Sequence, residues 1–239
     1  MGMLPAEIET MLKVQPLANI SMLGFFSKHK PLRILQYGES IMAKGKSDES
    51  WWYLSLKSLN DFDWFLEQTD VEDRFLATID DNILAKVKKK YTCKWVLSCQ
   101  RLYLPDEVKL PEIYMAVTDV LKSDAEHIYS NSNYKTYTSV EYIQEQISQG
   151  PSSACRIDDV LAGWVLTHDD CAMGMLHVLD VYRRKGIANA LVIDLIRKIR
   201  ALGQIPFTYV ETTNEASMTL VKGLGFVVDR PIHWVNIDR

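Results

Sequence analysis

Apolar residues recur along this chain at two spacings, and the change from one to the other outlines its elements. In the first 110 residues the pattern is short and mixed. A helical start runs through Met11 and Leu12, Leu32 to Tyr37 reads as extended, and Trp51-Trp52-Tyr53-Leu54 is an aromatic strand. Leu59, Phe62, Phe65 and Leu66 then recur at helical spacing. Asp80 and Asp81 open a further helix that Lys86, Lys88, Lys89 and Lys90 close, which suits the helix dipole at both ends. The lysine run therefore reads as a solvated helix end. Cys93 to Leu104 is one long strand, stopped by Pro105 and Pro111, and this proline-flanked stretch is the expected domain boundary.

Beyond it the units lengthen. The pattern predicts a strand over Ile113–Val117, a helix over Ser123–Tyr129 with Ser123 as N-cap, and a second helix over Ser139–Ile147. A hairpin of Ser153–Ile157 and Leu161–Thr167 turns at Asp158-Asp159, and a strand follows over Ala172–Leu179. The next helix runs to Leu202, with Leu191, Val192, Leu195, Ile196 and Ile199 on one face and Asp194, Arg197, Lys198 and Arg200 on the water side. Gly203 ends it; a strand over Ile205–Glu211, a helix over Asn214–Lys222 and a last strand after Leu224-Gly225-Phe226 complete the chain. This order predicts an α/β (α+β) protein of two unequal lobes, a smaller α/β lobe over residues 1–110 and a larger domain over 111–239.

Composition narrows the function. The 27 Lys and Arg against 31 Asp and Glu give a net charge of −4, so no global positive field is available to hold nucleic acid. Cys93, Cys99, Cys155 and Cys171 are widely spaced and form neither a zinc-ligand pattern nor a disulfide framework. No apolar run reaches the roughly 18 residues of a membrane span, and the first residues have neither the charged nor the apolar region of a secretory signal. Met1-Gly2 lacks the hydroxyl residue that myristoylation wants, Ala6 standing in its place. The expectation is a cytoplasmic protein with no metal, membrane or nucleic-acid partner.

The segment that carries chemistry is Arg183-Arg184-Lys185-Gly186-Ile187-Ala188, between a strand and a helix. Small residues at 186 and 188 let backbone N–H groups approach a ligand, and three cations stand beside the positive end of the helix. Together they make an anion site of pyrophosphate type. The spacing is neither the P-loop nor the dinucleotide fingerprint.

Joined to Asn214-Glu215-Ala216-Ser217 and Leu224-Gly225-Phe226, this segment resembles the GNAT superfamily of acyl-CoA-dependent acyltransferases. In that family a Q/R-x-x-G-x-G/A loop holds the CoA pyrophosphate, and Arg183, Gly186 and Ala188 match it. Gly163-Trp164-Val165-Leu166, Gly174-Met175-Leu176-His177-Val178 and Pro231-Ile232-His233-Trp234 look more narrowly like its glycine N-acyltransferase-like branch. The resemblance covers about residues 150 to 235. It implies a central mixed sheet flanked by helices, in which strands Ala172–Leu179 and Ile205–Glu211 splay apart. Pantetheine would lie in the wedge against the backbone of Leu176, Val178 and Leu179. Acetyl-CoA or another acyl-CoA would be the co-substrate, with Arg184, Lys185, Ile187, Asn214 and Ser217 also near it, and a small amine, an amino acid among the possibilities, the acceptor.

An alkyl amine with a pKa near ~10 is only about one part in a thousand neutral at pH 7, a penalty of roughly 4 kcal/mol that a base offsets. The resemblance puts a glutamate base at position 172 and a tyrosine acid at 221, and this chain has Ala172 and Val221. Glu211, His177 and Tyr209 are the side chains left to carry protons. The same absences motivate an alternative, an acyl-CoA-binding module without catalysis. Transfer to proteins is disfavoured by the lack of an acidic stretch that would select basic peptides.

Overall fold

The computed structural model describes residues 2–238 and divides into two compact units, Met1–Arg101 with Asp229–Arg239, and Leu102–Val228. Among the described residues, no helix is long and apolar enough to cross a membrane.

The first unit holds helices α1 (Ala6–Lys13), α2 (Ile20–Lys28), α3 (Asp61–Glu67) and α4 (Asp81–Lys90), with strands β1 (Pro31–Tyr37), β2 (Ser40–Lys46), β3 (Ser50–Ser55), β4 (Phe75–Ile79) and β5 (Thr92–Tyr103). The closing strand β10 (Val227–Asp238) pairs antiparallel with β4, which returns the C-terminal segment to this unit. The period of two along the strands decides what each face covers. Ile41, Ala43, Trp51 and Tyr53 pack with Phe25 and Phe26 of α2, whereas Met42, Trp52 and Leu76 pack with Phe62 and Phe65 of α3 and Val87 of α4. Asp80 caps α4 by accepting the Ile83 N–H at 2.9 Å, as its sequence implies.

Helix α2 and strands β2 and β4 have no counterpart in the sequence pattern. α2 buries Ile20, Ser21, Met22, Phe25 and Phe26, so more than one side is covered and the amphipathic signature fades. β2 pairs with β3 from Ile41↔Ser55 to Lys46↔Ser50. Its partners, rather than its own Ser-Ile-Met-Ala-Lys-Gly-Lys sequence, make it a strand.

In the second unit α5 (Ala125–Ser130) and α6 (Val140–Gln149) precede a meander of β6 (Ser152–Ile157), β7 (Val160–Thr167) and β8 (Met173–Val178); α7 (Ile187–Ala201), β9 (Phe207–Glu211) and α8 (Glu215–Gly223) follow. The strand order is β9-β8-β7-β6, with β8–β9 parallel and the other two pairs antiparallel. Asp158 and Asp159 both adopt left-handed φ values, 49° and 62°, as the tight β6–β7 turn requires. Val165, Leu176 and Val178 meet α7, while Trp164, Leu166, Met175 and Leu179 meet α5 and α6. The sheet thus has helices on both faces.

Three local expectations are corrected. Residues 113–117 form no strand; Ile113, Met115 and Val117 alternate because they pack on the α7 core, and pairing begins only at Thr118, which bridges Ala154. α5 starts at Ala125 after a short 3-10 turn at Lys122–Asp124, where the Asp124 carboxylate, a stronger acceptor than the Ser123 hydroxyl, takes the Leu121 N–H at 2.8 Å. The polar face of α7 is not a free water side. Arg197 and Arg200 donate to the carbonyls of Pro111, Val108 and Pro105, and Lys198 lies between Asp119 and Asp194 at 2.6 and 2.8 Å. The 105–119 segment is clamped along that face.

Candidate active site

The second unit contains a wedge. β8 and β9 meet at Met173↔Thr208, where the Thr208 hydroxyl donates to the Met173 carbonyl at 2.8 Å. Beyond that pair, β8 bends. Met175 has φ 54° and the β7–β8 register shifts between Trp164 and Leu166, the geometry of a β-bulge. Met173 is buried, but every residue from Gly174 to Leu179 is half-buried, although β8 lies inside the sheet between β7 and β9. Leu176 and Val178 lean on the α7 core and Leu179 on the α5–α6 core.

The loop after β8 leads to the N-terminus of α7. Gly186 is its N-cap with φ 79°, a conformation that costs glycine least, and a Cβ there would meet only Met115 Cε at 3.8 Å. The first intrahelical bond is Ala190 N–H to Gly186 C=O, so the N–H groups of Ile187, Ala188 and Asn189 precede the ladder. No side chain caps them, and no acid stands in the first turn. A 15-residue helix that begins this way presents concentrated positive potential to an anion. Arg183, Arg184 and Lys185 are exposed. Arg183 donates through Nε to the Val178 carbonyl at 3.1 Å and pairs with Asp180 at 2.7 Å. Both partners of that ion pair are largely exposed, and a pair of this kind is worth little, so the guanidinium is readily redirected to a stronger anion. Lys185 Nζ lies 5.4 Å from the Tyr182 ring centroid.

On the other strand Asn214 is the N-cap of α8 and accepts the Ser217 N–H at 3.1 Å. Ala172 and Val221 are buried apolar residues.

The proton-carrying side chains occupy different depths. Glu211 is half-buried at the last position of β9, the wide end of the wedge. His177 stacks on Trp164 at 4.9 Å between ring centroids, and Trp164 meets His127 edge-on at 5.6 Å. Burial, reinforced by the Arg183 guanidinium, pushes the His177 imidazole below its ordinary value. Tyr209 follows the vertex residue Thr208 directly. Its hydroxyl donates to Asp170 Oδ2, and Oδ1 of the same carboxylate accepts the Ala172 N–H at 3.1 Å. Asp170 is 2% exposed. The sequence pattern does not single it out, since its only local signal is an aspartate two residues before position 172.

The parallel β8–β9 pair, followed by the loop from β8 into α7, belongs to a fold shared with solved GNAT structures. Residues 157–235 match the model of the FR47-like protein family. No curated protein sequence matches the chain significantly. Among solved structures, a Drosophila protein superposes with a TM-score of 0.81 at 17% identity over 99% of both chains. A GCN5-related N-acetyltransferase-like protein from Streptococcus suis gives 0.56 at 14% identity over 99% of this chain and 100% of its own. A tandem GNAT protein from the clavulanic acid biosynthesis pathway gives 0.55 at 11% identity, over 100% and 97%.

Proposed function

We propose that this protein is an N-acyltransferase that moves an acetyl or other small acyl group from acyl-CoA to the amine of a small molecule, by direct attack on the thioester. The observation that carries the reading is the wedge between β8 and β9 together with the uncapped, acid-free N-terminus of α7 beside it. The residues present fit an acyl-CoA. First-turn N–H groups and the cations at 183–185 suit a pyrophosphate, Gly186 leaves the approach open, and the half-buried run of β8 offers backbone to an extended amide-bearing arm. The family match over residues 157–235, and the acetyltransferases among similar folds, support the same activity.

Within this reading Arg183, Arg184, Lys185, Gly186, Ile187 and Ala188 hold the phosphates, Leu176, Val178 and Leu179 line the arm, and Asn214 and Ser217 border it from α8. The thioester supplies an activated acyl group, and the protein orients it and manages the amine's proton. Tyr209, Glu211 and His177 are the proton carriers, with Tyr209 nearest the vertex. The motif resemblance favours the glycine N-acyltransferase-like branch, hence an amino acid as acceptor, and a two-lobe organisation whose cofactor chemistry belongs to the C-terminal part. Cytoplasmic residence belongs to the same proposal, since the four widely spaced cysteines read as no disulfide framework.

A specific observation keeps the second reading in play. Ala172 and Val221 leave the family's two catalytic positions without a titratable group, as in a module that binds acyl-CoA and does not turn it over. Thiol release from acetyl-CoA across a panel of small amines and amino acids separates the two. Amine-dependent release supports the enzyme, and saturable binding with no release for any amine supports the module.

A further inference from the structure

We propose that Asp170, acting through the Tyr209 hydroxyl, is the positioning residue and proton acceptor of the transfer reaction; this rests on the acyltransferase reading above. Four observations converge on it. Asp170 is a buried carboxylate, and its two oxygens are engaged by the Ala172 N–H and the Tyr209 hydroxyl. The Ala172 amide anchors it at the start of β8, where the wedge begins. Tyr209 is the residue of β9 next to the Met173↔Thr208 pair, so its hydroxyl lies at the narrow end rather than the mouth. Cys171, between Asp170 and Ala172, is held at φ 70°, and backbone held in this sparsely populated region clusters at functional sites.

The direction of the hydrogen bond sets the chemistry. Because the phenol donates to Asp170, a proton arriving at its oxygen can displace its own onto the carboxylate. Tyr209 Oη takes a proton from the attacking nitrogen as its own passes to Asp170 Oδ2. The nitrogen lone pair forms the new C–N bond, the C–S bond breaks with its electron pair on sulfur, and the same relay run backwards returns one proton to the leaving thiolate. Atoms and charge balance without a further reactant. Tyr209 touches the substrate in this scheme, and Asp170 acts through it.

The titratable neighbours of this corner are His168, Asp169 and Cys171 of the same turn and Tyr142 of α6, whose hydroxyl lies 3.2 Å from His168 Nδ1 and accepts the Asp169 N–H. They are unchanged in all four proteins compared below, so a change in pH profile reports the Asp170–Tyr209 pair.

The test uses the full chain as wild type, Asp170→Asn, Tyr209→Phe and the double variant. Amine-dependent thiol release is followed against pH, with acetyl-CoA affinity and the melting temperature without acetyl-CoA measured on the same four proteins. Each single variant is expected to lose about a hundredfold or more in kcat at pH 7, the lower side of general-base contributions. Its rate should climb only as the free amine deprotonates in bulk, and its acetyl-CoA affinity should stay unchanged. The double variant should be no slower than the slower single one, and the two losses in melting temperature should not add. A wild-type pH profile in either single variant, or rate losses that multiply in the double variant, overturns the relay. Should Asp170→Asn not fold, Tyr209→Phe carries the same test. Wild-type protein that turns over no amine overturns the acyltransferase reading itself, a result distinct from intact turnover in Asp170→Asn.

Discussion

The Thr208 side chain donates to the Met173 carbonyl at 2.8 Å, and at this point the parallel strands β8 and β9 part. Both residues are buried, so the hydroxyl satisfies an acceptor with little access to water. Thr208→Val keeps the shape and deletes the donor. The expected cost is about 1–3 kcal/mol, the penalty for an unmatched buried group, and Thr208→Ser should recover most of it. Chemical denaturation midpoints check both.

Gly186 and Gly203 bracket helix α7, and both have left-handed φ values, 79° and 70°. Alanine at either is expected to cost about 1 kcal/mol from backbone strain. Only Gly186 adjoins the proposed phosphate site. Gly186→Val should therefore abolish acetyl-CoA binding in a calorimetric titration, whereas Gly203→Ala should lower stability and leave affinity intact. Equal affinities in the two variants would displace the site from this helix end.

The polar face of α7 holds the 105–119 segment of the second unit. Arg200 donates to Val108 and Pro105 carbonyls at 2.9 and 2.7 Å. Arg200→Met keeps the apolar stem and removes the donors, at an expected cost of about 1–3 kcal/mol. Limited proteolysis should then cut between residues 105 and 119 faster than in wild type.

Asp73 predicts a pH dependence in the first unit. Burial raises its carboxyl pKa, but the Lys44 ammonium at 2.5 Å and the Asp70 N–H at 2.9 Å outweigh burial and hold it below the ordinary carboxylate value. A pKa lower in the folded than in the unfolded chain gives stability that is complete above the unfolded value, near 4, and lost as pH falls through the folded one. Asp73→Asn should lower stability at pH 7 and flatten the acid limb of the stability profile below about pH 4, read from melting temperatures.

The parts of the molecule legible in sequence are those where local geometry restricts residue choice. Gly186 stands at a helix start with a left-handed φ, Asp80 and Ser139 cap their helices, and Asp158-Asp159 mark a hairpin. What stays hidden is decided by partners far along the chain. α2 is covered on more than one side, and β2 is a strand because Phe25 and Phe26 of α2 lie against Gly45 while β1 and β3 flank it. Ile113–Val117 shows the reverse case, strand-like alternation produced by packing on a helix without a pairing partner. Asp170 is the most consequential omission. Among four polar residues of a turn it has no local distinction, and its meaning comes from Tyr209, 39 residues later.

The most direct measurement is a crystal structure of the protein with acetyl-CoA. The pyrophosphate is expected on the N–H groups of Ile187 and Ala188 with Arg183 swung onto it, the pantetheine arm along Leu176–Leu179, and the thioester at the Met173–Thr208 vertex beside Tyr209. Acetyl-CoA bound away from the β8–β9 wedge, or lying in it with its thioester at the Glu211 end, would overturn the proposed site.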